Sequence, residues 1–132
     1  KCGNNFDGEC GVAGGFTENG HSIIFATLTG ESAHFIFRMV KNVVHELGHA
    51  LDHLKNKRPR DDMPSEIYTN RALILRPNDY DGRLDWQQNP TANPSETFAD
   101  MFIAWTYGEW NPDIANATRV DEAQAWMGKW VP

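Results

Sequence analysis

The segment His45-Glu46-Leu47-Gly48-His49 constrains this chain more than any other. It is an H-E-x-x-H pattern, which on a helix presents two imidazoles and a carboxylate to a single metal ion. Residues four apart on an α-helix lie about 40° apart around its axis, so both rings project from one face. Glu46 lies about 100° from His45, within reach of a water beside such an ion without ligating it. A general base needs that position.

The flanks predict one amphipathic helix from about Ser32 to Asn56. Val40, Val43, Val44, Leu47, Leu51 and Leu54 cluster opposite His45, which predicts an apolar stripe facing a core. His34, Arg38, Asn42, His45, His49 and Asp52 share the other side. Thr29 or Ser32 can cap the start; Lys55, Lys57 and Arg58 complement the C-terminal dipole, and Pro59 blocks continuation. Gly48 costs roughly 1 kcal/mol against alanine inside a helix. Its presence predicts the close approach of another element.

Two histidines and a water leave a tetrahedral catalytic zinc one protein ligand short. The metzincin pattern continues with a glycine and then a third histidine, where this chain has Asp52 and Lys55. A better source is the segment from Asn93 to Phe102. Glu96 and Asp100 are four apart and share one face of a second helix, with Phe98, Phe102 and Trp105 opposite. A helix apolar nearly all round is buried, and buried carboxylates need partners. Glu96 on the metal and Asp100 on the far N–H of a zinc-bound histidine satisfy both. Glu96 has a second explanation, because Asn93, Pro94 and Glu96 also fit a helix N-terminus with a capping glutamate.

The pattern His45-Glu46-x-Gly48-His49-Ala50-x-Asp52, followed by Glu96-x-x-Ala99-Asp100, resembles the gluzincin zinc metallopeptidases. The intervening length is more similar to the short catalytic domain of the anthrax lethal factor type than to the thermolysin type. These matches cover two helices, about a third of the chain. The resemblance implies His45, His49 and Glu96 as zinc ligands, Glu46 as base and proton shuttle, and Asp100 as a carboxylate supporting a ligand. It also implies a zincin-like α+β fold. In the lethal factor type a tyrosine, thought to assist the oxyanion, stands where this chain has Asn89. Tyr80, Tyr68 and His53 are the candidates for that electrophile. Tyr107 shares the face of Glu96 but lies roughly 16 Å along the helix.

The 132 residues predict a single domain, with 40% apolar residues and five tryptophans to build its core. A formal charge of −6, with no basic stripe, argues against a nucleic-acid partner. No apolar run approaches a membrane span. Beginning at Lys1, the chain reads as a mature form or an excised domain. Cys2 and Cys10 read as a disulfide, hence a secreted or cell-surface protein; free thiols or a cysteine ligand are the alternatives.

Val12–Phe16 and Ser22–Leu28 flank an Asn19-Gly20 turn and predict two antiparallel strands. A strand there could take an extended peptide along its edge. Ala72-Leu73-Ile74-Leu75 fits either a strand or a buried turn of helix. Asn78–Asp85 misses the calcium-loop pattern and reads as a turn. Asp121–Trp130 predicts a short closing helix whose Ala123, Trp126 and Trp130 pack on the body.

The combined expectation is a compact, monomeric α+β domain with an N-terminal antiparallel β-sheet, an active-site helix and a glutamate-bearing helix. Its cofactor is Zn2+ and its substrate a peptide or protein. The alternative is a zinc-stabilised binding module of the same fold that does not cut. Glu46 argues against that alternative, since a purely structural site closes with four protein ligands and has no use for a base.

Overall fold

The computed structural model describes the backbone of residues 15–18, 22–25, 33–76 and 93–131, and the side chains of 40–76 and 93–131. The longest element is α1, Ala33–Leu54. A Schellman motif ends it. Asn56 takes the left-handed conformation (φ 58°), its N–H donates to His53 C=O at 2.9 Å, and Lys57 N–H donates to Asp52 C=O at 2.7 Å. The chain then makes a single turn, α2 (Arg58–Asp61), with Pro59 in its first turn. The buried Asp52 holds that turn by accepting from Arg60 N–H at 3.1 Å. Two more short pieces follow, α3 (Ser65–Thr69) and α4 (Arg71–Ile74). The Ala72–Leu75 run is therefore mainly helical, with Ile74 and Leu75 buried.

The second long helix, α5 (Pro94–Tyr107), begins where its sequence dictates. Asn93 Oδ1 accepts from Glu96 N–H at 2.9 Å, and Pro94 occupies the first turn. It closes on Gly108 in the left-handed conformation (φ 67°), with Glu109 N–H returning to Ala104 C=O at 3.0 Å. A 3-10 turn, Ile114–Asn116, leads into α6 (Ala117–Met127), which starts earlier and ends sooner than expected. Phe98, Met101, Ile103 and Ala104 of α5 pack with Ala123, Trp126 and Met127 of α6 and with Ile74 and Leu75 to form the core. Trp130 stacks edge-on against Trp126 at 5.8 Å.

The α+β expectation is overturned. Across residues 40–76 and 93–131, 74% of positions are helical and none lies in a strand. The strand pairing among the described residues is a hairpin of four-residue strands, β1 (Gly15–Glu18) and β2 (Ser22–Phe25), alongside α1. Two such strands form no sheet layer, and the core is built between helices.

The rotation of α1 also differs from expectation. Val44 and Leu51 pack on the core, but Val40, Val43, Leu47 and Leu54 are exposed, while Asn42, His45, Glu46 and Asp52 are buried. Gly48 supplies the reason. An added Cβ there would lie 2.8 Å from Ala99 Cα and 3.1 Å from Phe102 Cβ, so α5 crosses α1 at this glycine. The Gly48 side, about 60° from His45, is innermost instead of the leucine stripe. Gly48→Ala is expected to push the helices apart and cost about 1–3 kcal/mol, measured by urea unfolding. An unchanged unfolding midpoint would contradict this packing.

Candidate metal centre

The crossing at Gly48 sets the histidines of α1 against the first turns of α5. His45, His49 and Glu96 form a group that can hold a metal ion, with one donor atom from each within 4.8 Å of the others. The Nε2 atoms of His45 and His49 approach to 3.1 Å. Glu96 Oε2 lies 3.2 Å from His45 Nε2, and Oε1 lies 3.5 Å from His49 Nε2. Tetrahedral zinc with ligands at about 2.0–2.1 Å places neighbouring donors about 3.3 Å apart. The spacing and the two-nitrogen, one-carboxylate donor set fit such an ion.

Each ring is anchored from behind. His45 Nδ1–H donates to Asp100 Oδ1 at 2.9 Å, which leaves Nε2 as the donor to a metal. His49 Nδ1 faces Ser95 Oγ at 3.3 Å, and Ser95 in turn accepts from Arg60. Asp100 is fully buried, and its other oxygen accepts from Arg71, itself 5% exposed. Removing one partner of a buried ion pair typically costs about 3–5 kcal/mol.

The capping at the start of α5 comes from Asn93, and the Glu96 carboxylate is directed elsewhere. The Glu96 backbone N–H completes the cap from Asn93, while the carboxylate points at the histidines. Glu46 is buried on α1, next to His45 in the chain. Two of the electrophile candidates, His53 and Tyr68, are among the described residues. His53 is half-buried among Asp52, Lys57 and Arg60, and Tyr68 packs against the hydrophobic core. Tyr107 is exposed at the far end of α5. Tyr80, Asn89, the Asn78–Asp85 turn, Cys2 and Cys10 lie outside the described residues.

Sequence reasoning did not find Arg71 or Ser95. A histidine N–H alone met the need of Asp100 for a partner, and nothing singled out Arg71 among the 12 lysines and arginines. Ser95 carried a weaker signal, its place beside Glu96 in the first turn of α5.

No family model matches this chain, and neither a curated protein nor a solved structure matches it.

Burial disfavours a charged His45 ring, yet hydrogen bonds and charge from Asp100 and Glu96 outweigh it and raise the pKa from 6.5 to about 9. Burial likewise works against ionised Glu96, and the two histidines more than offset it, holding its carboxyl well below the usual range. A shared proton thus holds together the donors that a divalent cation would hold. The His45 contribution to stability is fully present below about 6.5 and lost as pH rises through about 9. That of Glu96 is present above its ordinary 4.5 and lost as pH falls through its lowered value. Urea titrations of the metal-free protein should show greater stability at about pH 6 than at about pH 10, with a shallower slope for His45→Gln. Equal stability at both pH values would contradict the shared proton.

Proposed function

We propose that this protein is a zinc-dependent peptidase of the gluzincin type. The observation that carries the reading is the donor spacing of His45, His49 and Glu96, with His45 anchored by Asp100 and the buried Glu46 beside it in the chain. A zinc ion held there would polarise a scissile carbonyl and bring the pKa of the attacking water to about 7. Glu46 would serve as the base that takes a proton from such a water and returns it to the leaving amine. Asp100 keeps His45 with its proton on Nδ1, and Ser95 orients His49. The substrate is a peptide or protein segment.

A second reading, a zinc-stabilised module that binds without cutting, draws on Asn89, which stands where the lethal factor type has its tyrosine. One variant separates the two. Glu46→Gln should bind zinc with wild-type stoichiometry while peptide cleavage falls at least about a hundredfold, assayed on a peptide library. Wild-type cleavage by the variant would remove Glu46 as the base. Zinc binding with no cleavage by either protein would favour the binding module.

A further inference from the structure

We infer that Arg71 is a positioning residue of the metal centre, acting through Asp100 on His45; the inference rests on the zinc-site reading above. Asp100 lies in the middle of α5 with no solvent exposure, so its carboxylate takes its partners from the protein. Its two oxygens are divided. Oδ1 accepts from His45 Nδ1–H, and Oδ2 accepts from a terminal N–H2 of Arg71. The Arg71 guanidinium restrains rotation of the Asp100 carboxylate about χ2 and so helps to fix the plane in which the His45 ring stands.

The guanidinium can do this because its own element is held in place. Leu75 N–H donates to Arg71 C=O at 2.9 Å and closes the single turn of α4. Asn111 N–H donates to Ile74 C=O at 3.0 Å, and its side-chain amide reaches Ala72 C=O at 3.3 Å. Arg76 pairs with Glu109. These contacts fasten α4 to the chain just beyond α5, while Arg71 grips α5 at its centre. The rigid planar fork of arginine suits this geometry better than the flexible ammonium of lysine.

Arg71 also settles the charge of the site. With its negative charge set against the guanidinium, Asp100 supports His45 without competing to ligate the ion, and Glu96 remains the anionic ligand.

The test is zinc affinity measured by chelator competition on folded protein, checked by far-UV circular dichroism. Arg71→Met should weaken zinc binding about 10–100-fold, and Arg71→Lys by less. In an Asp100→Asn background, Arg71→Met should change affinity less than about threefold, because its route to His45 is already cut. If Arg71→Met does not fold, Arg71→Lys in the two backgrounds carries the same comparison. Wild-type affinity in the Arg71 variants, or equal losses in both backgrounds, would overturn the inference. Failure of the wild-type protein itself to bind zinc would instead remove the metal-site reading on which the inference stands.

Discussion

Gly48 lets α1 and α5 meet almost backbone to backbone, and the distances among His45, His49, Glu96 and Asp100 follow from that contact. Any side chain at this position would meet the Ala99 backbone, which can move only by shifting the whole helix. Interhelical spacing elsewhere is commonly 8–10 Å and is set by side chains that can repack. Here the absence of a side chain sets it. A metal site assembled from two helices needs that fixity, because donors must be held within about 0.5 Å of their places for tight ligation.

The same contact explains why a polar strip of α1 is buried. Helices usually turn their apolar stripe inward. In α1 the inward side carries Asn42, His45, Glu46 and Asp52, and the cost of enclosing His45 and Asp52 is offset by partners on other elements. Asp52 meets Arg60 of α2, His45 meets Asp100 of α5, and Asp100 meets Arg71 of α4. Of the short pieces between the two long helices, α2 and α4 each bring an arginine to a buried aspartate, Arg60 to Asp52 and Arg71 to Asp100.

Much of the site was legible from residue spacing. The i, i+4 pairs His45–His49 and Glu96–Asp100 specify two helix faces, and Gly48 marks where those faces can approach. Asn93 and Pro94 fix the start of α5 at the turn that carries Glu96. The rotation of α1 was not legible, because periodicity reports where apolar residues cluster and not which side a neighbouring helix covers. The pairing of Asp100 with Arg71 joins residues far apart in sequence, a contact that local pattern does not encode. The Asn19-Gly20 turn between two β-rich runs marked the antiparallel pairing of β1 and β2, yet strand propensity in one hairpin does not make a sheet layer. The helices α3 and α4 are too short for a period to emerge.

X-ray absorption at the zinc edge of protein loaded with one equivalent of zinc would show directly whether His45, His49 and Glu96 take up the ion. Ligation by this group gives two imidazole nitrogens and light oxygen neighbours at about 2.0–2.1 Å, with no sulfur shell. A sulfur shell at about 2.3 Å would assign the ion to Cys2 or Cys10 instead, and a spectrum without imidazole scattering would exclude His45 and His49 as ligands.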